Sequence, residues 1–232
     1  MIYATLPSVA CAGGAGPERG AISIRSKVVT AAAALAVVAG LGAAGTQAAS
    51  AETPSCGPRC IELSSVEFGT GYVVDVVHSN AVTGAPVTLA AASRTNQGED
   101  FVVQYQGSVN DFIAAGLISS GLGPRWGNLA AFQFQYTPSG APTGLCLGLG
   151  AGTSVLTTVT LQPCNANVRA LWISDPLTAA QSGPFALISA TTKGNFSHPV
   201  TLTELLLPGL PLTTSLLATP PAPQQRWHIS QG

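Results

Sequence analysis

From residue 61 onward the chain is a succession of short apolar runs, several of them alternating with polar residues and each closed by a turn. In the run Ala131 to Tyr136, Phe132, Phe134 and Tyr136 fall on one parity and Gln133 and Gln135 on the other, which is the two-residue period of a strand. Thr83-Gly84, Ser139-Gly140, Pro208-Gly209 and Pro220-Pro221 supply turn chemistry between runs. This pattern predicts an all-β chain and speaks against a helical bundle.

The stretch Leu145 to Trp172, reading LCLGLGAGTSVLTTVTLQPCNANVRALW, serves as a template for the rest. From Leu147 as anchor, Leu161 follows 14 residues later and Trp172 follows 25 later. From Leu202, Leu216 lies 14 on and Trp227 25 on; from Val74 in YVVDVV, Leu89 lies 15 on and Phe101 27 on. A further strand-like run precedes each anchor: Ile61 to Phe68, Ala131 to Tyr136, and Phe185 to Ser189. Three units of four short strands follow, with Trp172, Trp227 and Phe101 as core residues.

The anchors lie 73 and 55 residues apart, so the first interval holds an extra segment. Gly107 to Asn128 reads as that segment, a long loop or an added hairpin, where a barrel can carry function. Leu205 to Leu217, LLLPGLPLTTSLL, reads as a strand, a Pro-Gly turn and a second strand buried in the third unit. The other reading of that run is a membrane-seeking or partner-binding surface.

Arg19, Arg25 and Lys27 precede the apolar run Val28 to Ala43, and the small-residue tripeptide Ala49-Ser50-Ala51 follows it. Residues 1–51 therefore read as a secretory signal peptide cleaved before Glu52. The run is shorter than the ~20 apolar residues of a membrane span, so the expectation is secretion without a stable membrane anchor. Cleavage takes away three of the nine basic residues and one of the ten acidic ones, leaving six against nine, a net charge of −3. Such a balance argues against nucleic acid or an anionic membrane as partner. The cut also removes Cys11 and leaves Cys56, Cys60, Cys146 and Cys164, an even number in an exported chain. Two disulfides are expected, with three pairings open.

Nothing nominates catalysis, a metal or a cofactor. His78, His198 and His228 fall at unrelated places in the units, without a carboxylate or Cys at ligand spacing. Gly148 to Gly152 falls short of a dinucleotide fingerprint, and there is neither an HExxH helix nor a Gly-x-Ser-x-Gly elbow. Glu62 and Glu67 lie on opposite faces of a strand, and the adjacent Glu99 and Asp100 point apart. The converging carboxylates of a glycosidase are not in evidence.

The second unit, with Cys146-Leu147, then Leu161-Gln162-Pro163-Cys164, then Trp172, resembles the repeat of the ricin-type lectin family: a Cys-Leu-Asp run, a later Leu-x-x-Cys and a closing Gln-x-Trp. The chain is similar also to secreted actinobacterial proteins of this kind. The resemblance covers residues 60–231 and implies a β-trefoil domain over 61–232. It implies a Cys146–Cys164 bond inside the second unit, leaving Cys56 and Cys60 to tie the N-terminal segment 52–60. It also implies a secreted, non-catalytic carbohydrate-binding module whose partners are glycans or cell-wall polysaccharide. The alternative is a protein partner, such as a protease blocked by a rigid loop, for which Gly107 to Asn128 is the place to look.

In the family a carboxylate after the anchor accepts hydrogen bonds from sugar hydroxyls. An aromatic ring packs on the sugar's apolar face, and an amide beside the closing Trp both donates and accepts. The first unit keeps Asp75, with Ala90 at the aromatic position and Gly98, Glu99 and Phe101 where Asn, Gln and Trp are expected. The second has Gly148, Gln162 and Ala170 at the Asp, aromatic and Gln positions. The third has Thr203 and Leu217 but keeps Gln225 and Trp227, with Gln224 beside them. The candidate sugar-binding residues are thus Asp75, Gln224 and Gln225, and no unit carries a full set.

Overall fold

The computed structural model describes residues 56, 60–93, 95–152, 154–165, 167–177 and 183–231. The signal sequence read in 1–51, Cys11 included, lies outside the described residues. The described residues fall in the compact unit Ala48–Gly232.

Twelve strands form among them: β1 (Ile61–Ser65), β2 (Tyr72–Val76), β3 (Val87–Ala91), β4 (Phe101–Ser108), β5 (Ala130–Tyr136), β6 (Leu145–Leu149), β7 (Val159–Pro163), β8 (Trp172–Pro176), β9 (Phe185–Ser189), β10 (Val200–Thr203), β11 (Thr213–Leu216) and β12 (Trp227–Gln231). Strands β1, β4, β5, β8, β9 and β12 pair antiparallel in a closed ring, so the barrel has no free edge. Three hairpins, β2–β3, β6–β7 and β10–β11, branch from β1, β5 and β9.

Apolar alternation explains this arrangement. Leu63, Val74, Leu89, Phe101, Tyr136, Leu147, Leu161, Leu187 and Leu202 bury into one cluster with Trp172 and Trp227. Val74 faces Leu89 and Leu147 faces Leu161 in register. The indole Nε1 of Trp172 donates to the carbonyl oxygen of Leu147 at 2.9 Å, and that of Trp227 to Leu202 at 3.3 Å. The 25-residue spacing is therefore a contact. Cys146 is bonded to Cys164, as the resemblance implies, and the remaining pair, Cys56 and Cys60, is bonded too.

Three expectations need correction. Leu216, set by its 14-residue spacing as the counterpart of Leu161, does not take the place that Leu161 has opposite its anchor: it pairs with Val200 and is exposed, and Thr214 faces Leu202. The third hairpin closes one residue nearer the anchor on each strand, which moves the partner by two. The run Leu205 to Leu217 is likewise not buried throughout, because Leu206 and Leu207 lie in a loop and are 77% and 65% exposed.

The third correction concerns Gly107 to Asn128, which is helical rather than a loop or hairpin, with α1 (Val109–Ala114) and α2 (Gly123–Trp126). Ser108 and Asp111 cap α1 reciprocally in a capping box. Val109, Leu122 and Trp126 bury against Ile173, Ile188 and Leu217 in a second apolar cluster. Trp126 Nε1 donates to Asp175 Oδ2 at 2.9 Å, and Arg125 pairs with the same oxygen at 3.1 Å while stacking on the Trp126 ring at 4.8 Å. The insertion is clamped to β8.

Candidate functional site

Strand β2 carries Asp75 opposite Thr88 of β3, and the 3₁₀ turn Gln97–Glu99 packs beside it. The side chain that joins the two elements is Asn96. Its Nδ2 donates to Asp75 Oδ1 at 2.8 Å and to Glu99 Oε1 at 2.9 Å, while its Oδ1 accepts from the backbone of Gly98 at 3.0 Å. The backbone N–H of Ser93 donates to both Glu99 oxygens, at 3.1 and 3.0 Å. Gly98 is required here: a Cβ would collide with Asp75 Oδ1 and lie 2.7 Å from the carbonyl oxygen of Val76.

Burial sets the electrostatics of this cluster. Asp75 is 8% exposed and Glu99 2%. Burial raises the Asp75 carboxyl above the usual carboxylate range, opposed by the Asn96 hydrogen bond and by the charge of His78. Burial likewise pushes Glu99 up to about 6 against its bonds from Ser93 and Asn96, and the charges of Glu62 and Asp75 add to the rise. The two carboxylates thus share one amide donor beneath the turn rather than facing each other across a cleft.

The equivalent places in the other units are closed. At Gly148 a side chain would meet the carbonyl oxygen of Arg169 and Cγ of Gln162, each at 3.0 Å. In the third unit Thr203 Oγ1 bonds Ser215 Oγ at 2.7 Å. Gln225 is committed to the fold: Nε2 donates to Ser215 Oγ and to the carbonyl oxygen of Leu216, both at 2.7 Å, and Oε1 accepts from Ala218 N at 2.9 Å and Ala222 N at 3.3 Å. Leu217, at the aromatic position, is buried in the second apolar cluster. Gln224 is half-buried, and its carbonyl oxygen accepts from Glu204 N at 3.1 Å. Asp75 belongs to the first hairpin and Gln224 and Gln225 to the turn before β12, and no hydrogen bond joins them among the described residues.

Two features were absent from the candidate set. Asn96 stands two residues before the position where an amide was expected, and its signal was the pattern Asn96-Gln97-Gly98-Glu99, a turn-capping residue with an acid three places on. Glu204, just after β10, is 3% exposed and accepts from Ser65 Oγ at 2.8 Å. Burial pushes it up to about 7 against that bond, with the charge of Glu67 adding. A cleft of about 210 Å³ is lined by Val103, Phe132, Phe134, Ser174, Phe185 and Ile229, none of which belongs to the first hairpin or its turn. Among the described residues no three His, Cys, Asp or Glu side chains gather as metal ligands.

No protein-family model matches the chain, and no curated protein matches it in sequence. Solved structures do match. A designed threefold-symmetric protein, ThreeFoil, aligns with a TM-score of 0.52 at 12% identity over 75% of this chain and 99% of its own. The fold is of the β-trefoil type. The Rhizoctonia solani agglutinin aligns at 0.50 and 16% identity over 75% of this chain and 96% of its own. A mosquitocidal holotoxin aligns at 0.51 and 13% identity over 75% of this chain, which spans 17% of that larger protein. At these identities the likeness is one of fold.

Proposed function

We propose that residues 61–232 form a β-trefoil of three four-strand units with pseudo-threefold symmetry, exported behind the signal sequence 1–51, that serves as a non-catalytic, lectin-like carbohydrate-binding module. The observation that carries this reading is Asp75 on the first hairpin, oriented through Oδ1 by Asn96 of the following turn. A carboxylate oxygen accepts charge-assisted hydrogen bonds from sugar hydroxyls, and Asn96, whose amide is used within the cluster, fixes the orientation of that carboxylate. Likeness of fold to an agglutinin supports the reading.

The first unit is the one assigned, because Asp75 uses only Oδ1 on Asn96 and keeps Oδ2 without a hydrogen bond among the described residues, whereas Gln225 in the third is bonded to its own chain on both amide atoms and the second has Gly148 at the acid position. Partners on this reading are glycans or cell-wall polysaccharide. Two or three hydrogen bonds to a charged group at about 1.5–3 kcal/mol each, set against the cost of association, give roughly −4 kcal/mol, a millimolar site. The rival reading, a protein partner held by an extended loop at Gly107 to Asn128, has less support, since that segment is helical and packed on the barrel.

Passing residues 52–232 over immobilised glycans and cell-wall polysaccharides tests the proposal. Retention on one glycan class is the expected result. Retention on none of them contradicts it.

A further inference from the structure

The loops of the three hairpins have a surface chemistry for which sugar binding has no use. Their outer stretches read NAVTGAP over 80–86, GAGTSVLTT over 150–158 and LLLPGLPL over 205–212, without a charged residue, while His78 and the buried Glu204 stand at the bases of the first and third loops. Each is fastened to a neighbouring hairpin. Gly84 N donates to the carbonyl oxygen of Leu161 at 2.8 Å, Leu156 N to that of Thr214 at 2.6 Å, and Gly209 N to that of Leu89 at 2.7 Å. The three loops therefore close a ring over the hairpin end of the barrel.

The inside of this ring is already filled, since Val87, Val159 and Leu212 are fully buried. Aliphatic side chains nevertheless project outward from all three loops: Val82 is 49% exposed, Leu156 75%, Leu206 77% and Leu207 65%. These residues add nothing to the core. Leu156 is moreover held at φ +61°, in the left-handed region where a residue bearing Cβ is strained and glycine or asparagine is at ease.

We propose that this ring is a docking surface for the interface of an electrically neutral lipid bilayer. Charge identifies the occupant. The loops offer no lysine or arginine to anionic headgroups; among the described residues Arg169 donates its guanidinium to the carbonyl oxygen of Gly150 at 3.2 Å, at the base of the second loop. A zwitterionic headgroup layer matches that neutrality and asks for no basic cluster. Composition points the same way, because protein–protein contacts centre on aromatic and arginine anchors, and the three loops contain neither. A bilayer yields around separate aliphatic tips and takes each of them into its headgroup–acyl boundary. The inference is independent of the glycan reading.

Flotation of the exported chain with vesicles of phosphatidylcholine alone, which carry neither sugar nor net charge, tests the proposal. The comparison is a variant combining Leu156→Asn, Leu206→Ser and Leu207→Ser, with Asn chosen because it tolerates positive φ. An unchanged melting curve for the variant shows that the fold is kept. The wild type floats with the vesicles, equally at low and high salt, and the variant's bound fraction falls about tenfold. The proposal is overturned if the wild type stays at the bottom of the gradient, or if the folded variant floats as well as the wild type. A wild-type dimer in light scattering that the variant turns into a monomer overturns it too, and makes the ring a contact between two copies of this chain.

Discussion

Trp172 donates its indole N–H to the carbonyl oxygen of Leu147, 25 residues earlier, at 2.9 Å. Both residues are fully buried, so the bond ties the base of the second hairpin to the start of β8. Trp227 makes the same connection to Leu202, whereas Phe101 fills the corresponding place in the first unit without a donor. Trp172→Phe leaves the Leu147 carbonyl without that partner and is expected to destabilise by about 1–3 kcal/mol. A fall in the urea midpoint at constant denaturant dependence is the measurement.

Gly98 lies against Asp75 so closely that a methyl group there collides with its carboxylate. Gly98→Ala is expected to destabilise by about 1–3 kcal/mol, the range for overpacking, and to displace Asp75 from Asn96. Amide chemical shifts confined to β2 and the turn Gln97–Glu99 check the second part. Identical spectra for the two proteins would contradict it.

Asp175 holds the helical insertion through Trp126 Nε1 and Arg125. Arg125 is about half exposed, so that ion pair contributes little. The buried indole bond is the larger part, and Asp175→Ala is expected to destabilise by about 2 kcal/mol. Because the insertion packs on the outside of the barrel, hydrogen exchange should quicken first at α1 and α2 rather than in β8 and β9.

Glu204 gives the molecule a pH dependence whose sign follows from its environment. Its carboxyl is raised from 4.5 to about 7 in the folded chain, so the folded state holds the proton more tightly than the unfolded one. Stability therefore increases as pH falls from about 7 to 4.5 and is constant above that window. The full shift corresponds to about 3 kcal/mol, and to about 2 once solvent screening is allowed for. Glu99, raised to about 6, acts in the same direction. Urea melts at pH 5 and pH 8 check this: the wild type is the more stable at pH 5, and Glu204→Gln removes most of that difference.

The fold was legible because a single spacing, anchor to closing Trp, recorded a hydrogen bond that the structure contains twice. The register of the third hairpin was less legible. Thr214 and Leu216 share a parity, so alternation places both on one face without saying which of them meets Leu202. The helices of the insertion are one or two turns long, too short to show a 3.6-residue period, and only the capping pair Ser108 and Asp111 marked them. Asn96 reaches Asp75 across 21 positions through a turn whose path no local pattern fixes. The residues of the candidate site were thus readable one by one, and their grouping was not.

The most direct measurement is retention of matched variants on the glycan that best holds the wild type. Asp75→Asn preserves shape and removes the charge, and Gln224→Ala tests the third unit in the same assay. With the binding centre at Asp75, the first variant loses about tenfold or more in affinity, the worth of one charge-assisted hydrogen bond, and the second binds as the wild type does. Undiminished binding by Asp75→Asn would contradict the account.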